Sequence, residues 1–261
     1  MAISKPYYRN CRQFTDGHYS EGGRWQYIIH PNYAKSPEQY VRAFLLLQKD
    51  LREIFDYIEP ADKNLKCYSF RTHGLLMRSS LEAEANFKAI LKENGYEKKD
   101  KGGNPLDMDI DDYKKLEKTH KLSAYKVKLP CWVGNKAIRT PFSSWAKPEL
   151  YSPSWYQAYN KTKHNRHEEF HHASFENLID SLCGLLVLLS SQFYTKDFSP
   201  TEPSIVASGY GPKDDMESAI GGYFRIKFPD WPLEERYDFK YADWINDDHD
   251  GLFQKIDYSK I

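Results

Sequence analysis

The chain has 261 residues, 40% of them hydrophobic and 28% charged, so it is long enough to bury a sizeable core and too apolar to be a disordered chain. Lys and Arg number 37, as do Asp and Glu, and a formal net charge of zero excludes coating of nucleic acid by bulk electrostatics; any RNA contact must be local. Cys11, Cys67, Cys131 and Cys183 are far apart with no C-x-x-C pair, which argues against a thiolate zinc site and a disulfide framework and suits a reducing compartment.

Residues 1–36 are rich in Tyr, Arg, Gly and His without a period and read as an irregular or short-stranded N-terminal arm. The opening MAISKPYYRNCRQF lacks the apolar run of a signal peptide, so a cytoplasmic protein is expected. Ser36-Pro37-Glu38 starts a helix with serine as N-cap and proline at the first helical position; Phe44, Leu47, Leu51, Ile54 and Ile58 then recur at helical spacing until Pro60 stops it. A second helix is predicted from about Phe70 to Asn94, ending at Gly95. Its stripe of Leu76, Ser80, Ala83, Phe87 and Ile90 has small members that would let another helix approach closely, and Glu82 borders it. KKDKGGNP, Lys98 to Pro105, is a charged loop, and a short polar helix from about Ile110 to Leu122 follows.

YKVKLPCWVGNKAIRTPF, residues 125–142, gives two short strands around the turn Gly134-Asn135. After a loop from Pro148 to Pro153, a helical segment starts near Ser154 and carries YNKTKHNRHEEFHH, Tyr159 to His172, into a long apolar helix, Phe175 to Phe193, with Ser174 as its N-cap. Being apolar nearly all round, that helix is either central in the core or buried in a subunit interface. Its densest run, Leu182 to Leu189, is eight residues, against the roughly 20 needed to cross a bilayer, so no membrane contact is expected. Beyond Ser199-Pro200, TEPSIVASGY and GGYFRIKFP read as strands joined by the turn-rich GPKDDMES, and an acidic, aromatic tail follows. The fold class is α+β in one domain. A mainly helical bundle core occupies residues 36–194, with short strands inserted near 125–142 and a small C-terminal β region over 195–261.

The chemistry is concentrated between Tyr159 and His172. Four of the nine histidines, His164, His167, His171 and His172, fall here, with Lys161, Lys163 and Arg166 among them. Histidine gains or loses a proton near neutral pH, and arginine is a fixed planar cation suited to phosphate. A plain alternative is a capping and solvation network at the start of the buried helix.

Tyr159-Asn160, two residues, Lys163-His164-x-Arg166 and then a long Leu-rich helix resembles the signature of HEPN-type helical domains, which carry an arginine, four to six residues and a histidine. Arg166 and His171, with four residues between them, match that spacing, and the resemblance covers roughly residues 36–194. It implies either a metal-independent endoribonuclease, often a toxin or antiphage-defence effector, or a non-catalytic interaction module. The implied partners are RNA, a second copy of the chain in a homodimer, and an antitoxin or neighbouring defence protein; no cofactor is implied. RNA is cut when its 2′-hydroxyl attacks the adjacent phosphorus. His171 suits the acid–base role and Arg166 the developing phosphate charge, with Asn160, Lys163 and His164 orienting or binding phosphate and Glu82 or Glu84 facing Arg166 across the bundle. Five positions along one continuous helix put side chains about 140° apart, so the pair converges only if Arg166 precedes the helix or if two chains contribute.

The same letters also spell H-E-x-x-H, His167-Glu168-Glu169-Phe170-His171, which on a helix would place His167 and His171 on zinc with Glu168 as base. Glu169 puts a charge where that motif usually has none, and no downstream H-x-x-G-x-x-H continuation follows. Gly102-Gly103 sits in no phosphate-binding loop, and the acidic run Asp107 to Asp112 lacks the glycine and terminal glutamate of a calcium loop and reads as a solvated helix start.

Overall fold

In the computed structural model, residues 2–19, 21–147, 152–198, 214–246 and 251–261 are described. Four long helices organise the core: α1 (Pro37–Phe55), α2 (Phe70–Glu93), α5 (Ser154–His164) and α7 (Phe175–Phe193). Short helices α3 (Ile110–Lys114), α4 (Leu116–His120), α6 (Arg166–Glu169) and α8 (Tyr241–Trp244) lie between and after them. The α+β class expected from the sequence holds.

α7 is the central element, packed by α1, α2 and α5 of its own chain, and every residue from Ser181 to Phe193 is buried. Burial on all sides explains its all-round apolar sequence, so the pattern itself gives no reason to place α7 at a subunit interface. Each fully buried leucine contributes about 1.5–3 kcal/mol, so α7 alone supplies a large share of the hydrophobic stabilisation. The close approach expected of α2 is present: Ser79 and Ser80 meet the Ser181 hydroxyl at 2.7 and 3.1 Å. On another side of α7, a methyl group at Gly184 would lie 3.0 Å from the fully buried Trp155 ring of α5.

The caps divide. Ser174 accepts from the Asn177 amide and Ser69 forms a capping box with Thr72, but Ser36 makes no side-chain cap and sits at a φ of 50°. Pro37 still starts α1, with its ring fixing the first helical φ. The polar helix expected over Ile110 to Leu122 forms as α3 and α4, broken at Lys115.

The inserted segment and the C-terminal region build one antiparallel sheet. β1 (Lys126–Lys128) pairs with β2 (Ile138–Arg139) as a hairpin, and β4 (Arg225–Lys227) pairs with β1 on its other edge and with β3 (Glu217–Ser218), giving the order β2-β1-β4-β3. Val127 faces both Arg139 and Ile226 in register, and Val127 and Ile226 are fully buried against the core. The strand expected over TEPSIVASGY lies outside the described residues.

The N-terminal arm, expected to be irregular or short-stranded, is irregular up to Tyr19 but holds a nine-residue 3-10 helix, Glu21–Ile29, and it is threaded through the core. Arg9 to Phe14 are all buried, and the Cys11 amide donates to the Ser191 carbonyl at 2.8 Å. The Arg9 guanidinium is fully buried, donating to Gln192 Oε1 and the Lys35 carbonyl, each at 2.8 Å, with Glu93 Oε1 2.8 Å from its Nε. His120 is buried beside it; its Nε2 lies 2.9 Å from the Arg9 carbonyl and its Nδ1 2.8 Å from the Thr119 hydroxyl.

Candidate functional site

The stretch from Tyr159 to His172 comprises the end of α5, where Tyr159 and Thr162 are buried, and the largely exposed corner that joins α5 to α7. α5 ends at His164 because Asn165 leaves helical geometry, at φ −141° and ψ 62°; Arg166 then opens the single turn α6, and Phe170–His172 make a 3-10 turn. The corner is anchored to the start of α2. The Phe175 and Glu176 amides donate to the Cys67 and Leu65 carbonyls at 2.7 and 2.9 Å, and the Thr72 hydroxyl donates to the Ala173 carbonyl at 2.9 Å. Phe170 packs in an aromatic enclosure of Tyr68, Phe70 and His73, with ring centroids 5.5, 4.9 and 5.7 Å away.

Arg166 is exposed, and its guanidinium carbon lies 5.6 Å from the centre of the Phe70 ring. Among the described residues no carboxylate lies within ion-pair distance of it. Glu82, on α2, is half-buried with Arg78 as its charged neighbour, and burial pushes its carboxyl above the usual range; Glu84 accepts from the Tyr156 hydroxyl at 2.8 Å. Neither carboxylate pairs with Arg166. His171 is exposed, with its ring 4.2 Å from that of His172. Both Arg166 and His171 precede α7, as convergence requires, and Phe70 and Phe170 connect them, but no direct contact joins the two.

Asn160, Lys163 and His164 lie on one strip of α5 at spacings of three and four residues. Lys163 donates to the Tyr159 hydroxyl at 3.1 Å, which holds its ammonium above the usual lysine range, and His164 is exposed. These three make no hydrogen bond to Arg166 or His171. The α5 lysine that reaches the histidine end is Lys161, whose Nζ is 3.3 Å from His172 Nε2. His172 Nε2 is also 2.8 Å from Glu169 Oε2. Burial, then Lys161 and His171, lower the His172 pKa against the opposing pull of Glu169.

The zinc-peptidase geometry expects an unbroken helix from His167 to His171; here α6 ends at Glu169 and a 3-10 turn follows. Glu168 accepts from Asn165 Nδ2 at 2.7 Å, a side-chain bond within its own turn. Among the described residues, the metal-binding donor group that converges is Glu169, His171 and His172, without His167.

Sequence reasoning missed Phe70 and His73, which α2 contributes from about a hundred positions upstream. His73 is held below the usual histidine range by burial and by the Arg166 charge, while a hydrogen bond with the Thr162 backbone works the other way. Its Nε2 is buried without a hydrogen-bond partner. Nothing local in the sequence marks these residues, because the contact is long-range. No helix among the described residues is long and apolar enough to cross a membrane. No family model, curated protein or solved structure matches the chain.

Proposed function

We propose that the corner from Tyr159 to His172 binds RNA and cleaves it without a metal, with Arg166 and His171 as the reacting pair. The observation that carries this reading is Arg166 itself: an exposed, carboxylate-free guanidinium lying on an exposed aromatic surface, beside a run of imidazoles. In a chain of zero net charge, an uncompensated arginine is a local phosphate site, and Phe70, 70% exposed beneath it, offers a face on which a base can stack. The resemblance of Asn160, Lys163, His164, Arg166 and His171 to the HEPN pattern points the same way.

In the reaction, one imidazole takes the proton of the 2′-hydroxyl as its oxygen attacks the adjacent phosphorus. The P–O5′ bond breaks, a 2′,3′-cyclic phosphate forms, and the leaving oxygen is protonated. His171 supplies the acid–base function and Arg166 binds the non-bridging oxygens as their charge grows. Because the two side chains do not touch within one chain, the reading includes a homodimer in which a second corner completes the site. As a toxin or defence effector, the protein would need a neutralising or neighbouring partner protein.

The test is incubation of the protein with mixed cellular RNA, with and without EDTA, alongside Arg166→Ala and His171→Ala. Cleavage is expected to survive the chelator and to fall by about 10² to 10⁴ on loss of the acid–base group. Cleavage unaffected by both substitutions removes the assignment. RNA binding that depends on Arg166, without cleavage of any RNA tried, supports a non-catalytic interaction module instead.

A further inference from the structure

Glu169, His171 and His172 bring a carboxylate oxygen and two imidazole nitrogens within 4.8 Å of one another. Glu169 closes α6 and both histidines lie in the 3-10 turn that follows, so one short piece of backbone fixes all three. His172 Nε2 faces two partners at once: Glu169 Oε2 at 2.8 Å and the Lys161 ammonium at 3.3 Å. These make opposite demands. Glu169 needs a proton on Nε2 to accept, and Lys161 needs a lone pair there to donate into. The same ammonium lies 4.0 Å from Glu169 Oε2, so the acceptors already draw a positive charge to this point.

A divalent ion resolves the conflict, because it takes the imidazole lone pair and the carboxylate together. Two imidazoles and one carboxylate form a donor set suited to zinc and its first-row neighbours. Tetrahedral zinc, with bonds near 2.0–2.2 Å, holds its ligand atoms about 3.4 Å apart. His171 is exposed and Glu169 and His172 are partly so, which leaves them free to close from 4.8 Å by side-chain rotation and leaves the outer side open to water as a further ligand.

We infer that Glu169, His171 and His172 form a binding site for a zinc-class divalent ion, and that the ion displaces the Lys161 ammonium. The site stands independently of the ribonuclease reading. Where that reading holds, the ion occupies His171 and switches cleavage off, so this consequence alone rests on it.

Calorimetric titration of zinc chloride into the metal-free protein at neutral pH tests the site without reading any activity. One ion per chain is expected. His172→Ala and Glu169→Gln should each weaken binding by more than the roughly 10- to 100-fold that an outer-shell partner is worth. Lys161→Met should tighten it by removing the competing cation, and His167→Ala should leave it unchanged. Circular dichroism of each variant confirms that the exposed substitutions leave the fold intact. Absence of stoichiometric zinc binding overturns the inference, as does binding that persists in His172→Ala and Glu169→Gln or is abolished in His167→Ala.

Discussion

Acidification should destabilise the fold through His120, and His120→Gln should remove most of that particular loss. The imidazole is buried between the N-terminal arm and α4, with Nε2 donating to the Arg9 carbonyl and Nδ1 accepting from the Thr119 hydroxyl. Burial chiefly, with Arg12 adding to it, lowers its pKa from the ordinary 6.5 to about 3. The folded-state value is therefore below the unfolded one. Above pH 6.5 both states are neutral and pH has no effect through this group. Below it the unfolded chain takes up a proton that the folded chain refuses, and stability falls by about 1.4 kcal/mol per pH unit until the folded pKa is reached. The loss comes to about 3 kcal/mol by pH 4 and about 5 kcal/mol in full. Glutamine keeps one donor and one acceptor and does not titrate. Urea denaturation of both proteins across this range gives the assay, because carboxylates common to both cancel in the difference. The advantage of the wild type at pH 7 should shrink by about 3 kcal/mol at pH 4. A difference that stays constant with pH would show that His120 is not held neutral.

Three further outcomes follow from particular contacts. Arg139→Met strips the buried cation 2.6 Å from the partly buried Asp180 carboxyl, whose desolvation already pushes it upward; thermal denaturation should show a loss of about 2–4 kcal/mol, and a loss below about 1 kcal/mol would contradict the pairing. Gly134→Ala forces an L side chain to a φ of 125° and drives its Cβ into the Asp62 carboxyl group. That carboxylate accepts from Trp132 Nε1 and the Asn135 and Lys136 amides, so a melting shift equivalent to about 1–3 kcal/mol is expected, and no shift would refute the strain. Phe70→Ala should change stability by no more than about 0.5 kcal/mol, since the ring is mostly exposed, yet weaken RNA binding by about 1–3 kcal/mol in fluorescence anisotropy; unchanged affinity would take Phe70 out of the RNA surface.

The long helices were legible because their signals are local and periodic. The expected Phe70 start of α2, with its end at Gly95, and the expected Phe175–Phe193 span of α7 agree with the structure, since capping residues and a glycine at positive φ punctuate a clear apolar pattern. The role of α7 was only half legible: an all-round apolar face does not say whether the covering helices belong to the same chain, and here they do. The hairpin at residues 125–142 was visible, but its pairing with β4 was not, because strands of two or three residues carry no register signal across about a hundred positions. The burial of Arg9 and His120 was equally hidden, since polar side chains enter a core only where distant groups satisfy them. At the corner, the sequence marked the cationic and imidazole residues. It could not mark the aromatic floor from α2, or the break at Asn165 that sends Lys161, not Lys163, to the histidine end.

The most direct measurement is cleavage of one defined RNA, once its cut site is mapped, against the same RNA carrying a single 2′-deoxynucleotide at that site, in EDTA. Attack by the adjacent 2′-hydroxyl, assisted by Arg166 and His171, predicts a 2′,3′-cyclic phosphate end on the first substrate and no cut at the substituted position in the second. Cleavage of the deoxy-substituted substrate at the same position would contradict the account, because no internal nucleophile would remain for His171 to activate.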